Sequence, residues 1–406
     1  MDICFVNPRL YYYLDPQSDE VAGGAQRQIY LLSQQLLKRG HDVSAIIGDY
    51  GQPHRYRYQD VDTVAACPTS TPQLSGLVGD FYRLQQAISK IDADVYYVRG
   101  APRLFLATRV ATAICRSNLV YGIANESDLD EEYLLSRYGR IFYELYTRMI
   151  GMTDAVGAQT IRQQEILRES YNVDSTHVPN GYPLPPSSEI QPHTDRDHIL
   201  WVGRSNEEKK RPDIFLDLAE QLPQIPIIMI SRPDHDDEYH KWIASRARKL
   251  SNVVFHERID SDKIHERFRS AALLVNTSSY EGFPNTYLEA WRYETPVVSL
   301  SFAPADDVVE RGLCQPAGSL DALADEVESL WHHPGNRAQI GHRCRRHMRS
   351  QYSMDEVTNS FLTLMDEATN SYPIEMQCSN CGAKLTENAD GSTTCISCEY
   401  GPEEIH

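Results

Sequence analysis

Lysine is scarce in this chain: only 8 of its 39 basic residues are Lys. Basic residues are outnumbered by 57 acidic ones, which leaves a formal charge of −18. General nucleic-acid binding needs a basic footprint, so that class of function is excluded. Few lysines among many Asp and Glu describe a strongly hydrated surface suited to high salt, as in halophiles. Long hydrophobic runs are also lacking. None approaches the roughly 20 residues of a membrane-crossing helix. The start, MDICFVNPRLYYYLD, has neither the basic opening nor the apolar centre of a signal peptide, and a cytosolic location is expected. Cysteine is thin over most of the chain. Five of the nine are scattered (Cys4, Cys67, Cys115, Cys314, Cys344), which is no disulfide framework.

What is present is alternation. At 406 residues the chain exceeds one ordinary core, so two domains are expected. ICFVN is followed by AQRQIYLLSQQLLKRG, whose Ala25, Ile29, Leu32 and Leu36 fall on one helical face. DVSAIIG, DVYYVRG, LVYGIA, AVGAQ and STHVPN continue the first half, with helical stretches between most of them. Near-continuous apolar strands separated by helices imply a parallel sheet covered on both faces. Residues 181–197, GYPLPPSSEIQPHTDRD, hold four prolines and no helical period, and read as a linker. The alternation then restarts with ILWVG, IPIIMIS, NVVFHE, LLVNTS and PVVSL, and helical segments follow from about 319 to 367. The expected fold class is α/β: domains over 1–180 and 198–366, the last helix returning to the first, and a separate tail over 376–406. Ligands of such sheets sit at the carboxyl ends of strands.

Two junctions carry chemistry. In ILWVGRSNEEKKRPDIFLDLAE a strand runs into Gly203 and Arg204, then a charged loop with Lys209 and Lys210, then a helix from about Pro212. Backbone N–H groups, a helix dipole and two cations would converge there on a phosphate; a solvated charged loop is the plainer reading. In SSYEGFPNTYLEAWRYETPVVSL a strand exit carries Glu281, and the helix from about Asn285 to Tyr293 carries Glu289. Carboxylates are costly to bury unless something needs them. Here they would accept hydrogen bonds from paired sugar hydroxyls. Cations for a diphosphate beside carboxylates for hydroxyls describe a nucleotide-sugar site.

Glu281 and Glu289 with Gly-Phe-Pro between them, followed by Ala-Trp and Pro296-Val-Val, resemble the E-x7-E signature of family 4 retaining glycosyltransferases. VGRSNEEKKRPD resembles that family's diphosphate element, VAGGAQRQIYLLSQQLLKRGHDV its amino-terminal Gly-Gly loop and helix, and GAQTIRQQEIL with VPNGYP the end of its first domain. The resemblance covers about residues 1–366. It implies the GT-B fold, two Rossmann-like domains facing a cleft. It also implies that Arg204 and a lysine neutralise the donor diphosphate, with Lys209 and Lys210 both left open. Glu289 would hold the ribose. Glu281 and the backbone of Gly282, Phe283, Pro284 and Asn285 would hold the transferred sugar and phosphate. Gly23 and Gly24 would let the first domain approach the donor phosphates or the acceptor. Two positions depart from the family: Asn125 stands where a histidine near the sugar is common, and Glu294 where a glycine is common. No catalytic metal is expected, because cations already face the leaving diphosphate.

The tail reads separately. Cys378-x2-Cys381 and Cys395-x2-Cys398 resemble a zinc ribbon, four thiolates around a structural zinc. Its few basic residues favour a protein partner over nucleic acid. Asp-x-Asp triplets at 92–94, 128–130, 195–197 and 260–262 resemble manganese sites, but arise readily in so acidic a chain. EEYLLSRYGRIFYELYTRMIGM (131–152) reads as one aromatic amphipathic helix, packed on its own domain or meeting a membrane or lipid-linked acceptor. The expectation is a glycosyltransferase of the cytosol or of a membrane's cytosolic surface. It would take a UDP- or GDP-linked sugar to a glycan, glycolipid or lipid-linked acceptor. A nucleotide-sugar epimerase and a non-catalytic scaffold docking through its ribbon are the alternatives.

Overall fold

A computed structural model of the protein describes residues 1–18, 23–67, 77–259 and 261–370, with two short strands at 386–387 and 393–394. The first domain is built on β1 (Asp2–Val6), β2 (Asp42–Gly48), β3 (Arg55–Tyr58), β4 (Val61–Cys67), β5 (Val95–Arg99), β6 (Asn118–Gly122), β7 (Ala155–Ala158) and β8 (Thr176–His177). Their order is β3-β4-β2-β1-β5-β6-β7-β8, parallel throughout except where β3 meets β4. The second is built on β9 (His198–Arg204), β10 (Ile227–Arg232), β11 (Val253–His256), β12 (Ala271–Asn276) and β13 (Val297–Ser299). Its order is β11-β10-β9-β12-β13, all parallel.

The sequence dictates this layering through side-chain alternation. Successive residues of a strand point to opposite faces, and here both faces are covered. In β1, Cys4 and Val6 enter one core while Ile3 and Phe5 enter the other. In β9, Ile199 and Trp201 face one core and Leu200 the opposite one. Four helices lie beside the site: α1 (Gly24–Lys38), α2 (Pro212–Gln221), α3 (Ser261–Ser270) and α4 (Asn285–Trp291). The second core of the first domain is completed from far along the chain, by α5 (Met354–Asn370). This helix returns to the first sheet, where Phe361 lies 5.9 Å from Phe5 and 5.1 Å from Tyr97, centroid to centroid.

Two local features differ from the sequence reading. The β3–β4 hairpin extends the first sheet at its edge, turning through Gln59 and Asp60 in left-handed conformations. Its RYRY strand is polar and mostly exposed, so no apolar pattern marks it. The stretch 131–152 is two helices, Glu131–Tyr138 and Arg140–Ile150, because Gly139 at φ 84° breaks the α path.

In each sheet the strand order reverses once, between β1 and β5 and between β9 and β12. Ligand crevices open at such switch points, outside the carboxyl ends of the strands. Contacts between the domains join these two places.

Candidate functional site

In the second domain, β9 ends at Gly203 and Arg204, and the next residues form a tight loop. The Asn206 side chain accepts the Lys209 N–H at 2.7 Å, and the Asn206 carbonyl accepts those of Lys210 and Arg211 at 3.0 and 2.9 Å. Arg211 takes a left-handed conformation, and Pro212 then opens α2 with its fixed φ. This loop is stitched to the segment leaving β12. Ser279 N–H donates to the Lys209 carbonyl at 2.9 Å, and the Thr277 hydroxyl to that of Lys210 at 2.7 Å. Both lysines thereby reach one carboxylate. Lys210 Nζ bonds Glu281 Oε1, Lys209 Nζ lies 3.4 Å from Oε2, and the Ser278 hydroxyl donates to Oε1 at 2.9 Å. The Lys209 ammonium also lies 5.2 Å from the Tyr280 ring centroid.

Beyond Glu281 the chain turns through buried Phe283 and Pro284 into α4, whose first residue is Asn285. One turn further, Glu289 is 5% exposed, and its carboxylate accepts from Arg27 of α1 in the other domain. The two domains also meet through uncharged groups. Asn180 Nδ2 donates to Asn285 Oδ1 at 2.8 Å, and Gln159 Nε2 to the Phe283 carbonyl at 3.4 Å. Arg99, buried at the end of β5, donates to Asn180 and Gln159 at 2.6 and 3.2 Å, fixing both amides. Gly24 lies so close to the Asn285 side chain that an added Cβ would collide with it. The Gly-Gly start of α1 therefore abuts the first residue of the helix that carries Glu289.

Arg204 is more open and faces Asp234 at 3.7 Å. The crevice thus holds three opposite-charge pairs: Arg204 with Asp234, the two lysines with Glu281, and Arg27 with Glu289. A polyol phosphate entering it would find cations for its anionic part and carboxylates for its hydroxyls.

The glycines expected at the site differ in their surroundings. Gly203 packs against the Trp201 ring, and Gly282 faces open space. Gly23 precedes α1 in extended conformation. Asn125 is exposed at the end of β6, in a turn held by Asp128, which accepts the Ala124 and Asn125 N–H groups at 3.1 and 3.0 Å. Asp128 and Asp130 are used as local caps, Asp130 accepting Tyr133 N–H at 2.8 Å. Glu294 adopts φ 61°, the left-handed region that suits glycine, and its carboxylate bonds His342 Nδ1 at 2.8 Å. Among the described residues no group of three or more His, Cys, Asp or Glu is arranged to hold a metal ion. Cys378, Cys381, Cys395 and Cys398 lie outside the described residues.

Sequence reasoning missed Arg27, Arg99 and Arg232. Arg27 lies in the Gly-Gly stretch, three residues past Gly24, and its partner is 262 residues away. Arg99 ends an otherwise apolar strand, which is itself a signal. Arg232 stands directly beside Arg204 in the sheet register. Burial, with Arg258 and Arg204 as neighbours, lowers its pKa from the usual guanidinium value.

Residues 22–184 match the family model Glycosyltransferase Family 4, and residues 196–333 the model Glycosyl transferases group 1. The alpha-galactosylglucosyldiacylglycerol synthase of Streptococcus pneumoniae is 26% identical over 176 residues, 41% of this chain and 46% of that protein. The chain thus spans less than half the length of the curated relatives it matches. Among solved structures, sucrose-phosphate synthase from Thermosynechococcus elongatus superposes with a TM-score of 0.70 at 17% identity, over 90% of this chain and 98% of that one. HepE of Anabaena, in complex with UDP, gives 0.65 at 17% identity, over 89% and 99%.

Proposed function

The chain belongs to the glycosyltransferases, its two domains matching the family 4 and group 1 models, and from that premise we propose that it is a retaining enzyme that moves a sugar from a UDP- or GDP-linked donor to a glycan, glycolipid or lipid-linked acceptor. One observation supports this reading most: past the carboxyl ends of β9 and β12, Lys209 and Lys210 pair with Glu281, Arg204 faces Asp234, and Gly24 of α1 abuts Asn285 of the helix that carries Glu289. The UDP and UDP-glucose complexes of HepE support a UDP-linked donor. The glycolipid synthase relative supports a lipid-borne acceptor.

As the bond to the sugar breaks, charge grows on the departing diphosphate. Arg204 and Lys210 are already in place to meet it, so little reorganisation is needed in the transition state. Glu289 orients the ribose, and Glu281, held by both lysines, bonds the sugar hydroxyls on the same side. The acceptor hydroxyl attacks from the face the diphosphate leaves, with a phosphate oxygen taking its proton. No separate base is required.

Two helices of the first domain suit peripheral contact with a membrane. Ile141 and Leu145 lie one turn apart on the helix Arg140–Ile150 and are 85% and 44% exposed. Exposed Val110 and Ile114 lie one turn apart on the helix Pro102–Cys115, which packs against it. Arg140 and Arg148 flank the apolar pair, the composition of a surface that sits among anionic headgroups. For the tail the reading is a structural zinc held by Cys378, Cys381, Cys395 and Cys398, docking a protein partner. Support comes from the antiparallel pair Thr386–Glu387 and Thr393–Thr394, which lies between the two Cys-x2-Cys knuckles.

The test is a thermal-shift panel of UDP-, GDP- and ADP-sugars at low and high salt. NMR of the product formed from the best donor then reads its anomeric configuration. A donor-dependent rise in melting temperature and a product that keeps the donor's configuration are expected. Inversion would overturn the retaining mechanism, and no response to any nucleotide sugar would overturn the donor site.

A further inference from the structure

The ion pair between Arg27 and Glu289 crosses from one domain to the other. Arg27 lies in the first turn of α1, largely enclosed, with its guanidinium carbon 4.9 Å from the Tyr182 ring centroid. Its second terminal nitrogen reaches His265 Nε2 of α3 at 3.3 Å. Burial opposes the charge, but Glu289 outweighs it and favours the charged guanidinium. The carboxylate assigned to the ribose is therefore paired with a cation from the opposite domain.

Two consequences follow from the chemistry. A ribose diol that takes both oxygens of Glu289 competes with Arg27, whose guanidinium holds Oε1. A guanidinium displaced in so enclosed a place needs another anion, because leaving it unpaired is costly. The ligand brings one. Arg27 is three residues from Gly24, which itself abuts Asn285 at the start of α4. In a nucleotide donor the diphosphate is joined to the ribose that takes Glu289, which keeps that anion near the freed guanidinium.

We propose that Arg27 is a further donor-site residue: it holds Glu289 while the cleft is empty, and passes to the donor's diphosphate when the ribose hydroxyls take the carboxylate. The proposal rests on Glu289 being the ribose acceptor. It assigns the first domain a charged contact to the donor in addition to its glycine loop. The Arg27–Glu289 pair is then a placeholder for the nucleotide rather than a fixed tie between domains.

The experiment is calorimetric titration of the full chain with whichever of UDP, GDP and ADP it binds best, and with the parent nucleoside. Arg27→Met, Arg27→Gln, Arg27→Lys and Glu289→Gln are compared with the unmodified protein, each checked for cooperative melting. Both neutral Arg27 variants should bind the nucleoside at least as tightly as the unmodified protein. Each should bind the diphosphate about tenfold or more weakly, the effect of one lost charged hydrogen bond. Arg27→Lys should recover most of the ratio between the two affinities. Glu289→Gln should weaken nucleoside and diphosphate together and leave their ratio intact. An unchanged ratio in both neutral Arg27 variants, or equal losses for the two ligands, would overturn the proposal and leave a static tie. Unchanged nucleoside affinity in Glu289→Gln would instead overturn the ribose assignment.

Discussion

Replacing Lys210 by methionine keeps most of the side chain's length and removes its charge from the junction of β9 and β12. Glu281 would not be stranded: Lys209 remains 3.4 Å from one oxygen and the Ser278 hydroxyl 2.9 Å from the other. The loop would also keep its backbone tie, since Thr277 bonds the Lys210 carbonyl and not its side chain. Stability should thus fall by no more than about 1–2 kcal/mol, a few degrees in melting temperature for domains of this size. Catalysis should suffer far more. A preorganised donor to developing charge is worth roughly 10²–10³ in kcat, or about 2.7–4 kcal/mol. Little of that should appear in KM, because the ground-state diphosphate keeps Arg204 and Lys209. Lys209→Met should cost less, about tenfold, because its ammonium is farther from Glu281 and rests partly on Tyr280. The assay is release of nucleoside diphosphate from the best donor, with melting curves recorded alongside. If Lys210→Met stays within about threefold of the unmodified rate, or Lys209→Met is the more damaging change, the assignment of Lys210 fails.

Gly24→Ala should force Asn285 aside, costing about 1–3 kcal/mol of stability by overpacking and about tenfold in nucleoside diphosphate affinity by titration; an affinity within twofold would show that this contact does not shape the site. His193 is buried in the linker, and burial, with Arg196 and Arg337 beside it, depresses its pKa to about 3. The unfolded chain binds this proton below about 6.5 and the folded chain only near 3, so stability should fall with decreasing pH across that window, by up to about 1.4 kcal/mol per unit. Urea melts of His193→Leu should show a shallower acid limb, and an unchanged slope would refute this. Ile141→Glu with Leu145→Glu should reduce binding to anionic phospholipid vesicles about tenfold or more in sedimentation assays while leaving donor hydrolysis unchanged; undiminished sedimentation would move the membrane face elsewhere. Elemental analysis should find one zinc per full chain, lost on chelation at low pH without loss of donor binding, and a zinc-free protein would remove the ribbon.

The alternation of the two sheets was legible because strands such as DVSAIIG, past the exposed Asp42, are buried on both faces and therefore largely apolar. The β3–β4 hairpin was not, because Arg55 and Arg57 face solvent at an edge where no pattern is imposed. Gly139 was visible but ambiguous, since a helix can tolerate glycine and only its positive φ makes it a break. In the site, Arg204, the two lysines and Glu281 were readable as residues just past strand ends, and Glu289 as a carboxylate in the helix that follows, all local properties. Which group each glutamate meets was not. Arg27 reaches Glu289 only because two crevices face each other, and nothing near either residue in the sequence says so.

The return of α5 to the first sheet has a consequence for synthesis. Phe361, Leu364 and Met365 complete the core that Ile3, Phe5 and Tyr97 begin, so the domain made first cannot finish until nearly the last of the described chain has emerged. The second domain is under no such delay: its sheet and most of its covering helices lie between residues 198 and 351. A nascent chain would therefore carry an apolar flank on its older half while its younger half consolidates, the kind of exposed intermediate that chaperones shield.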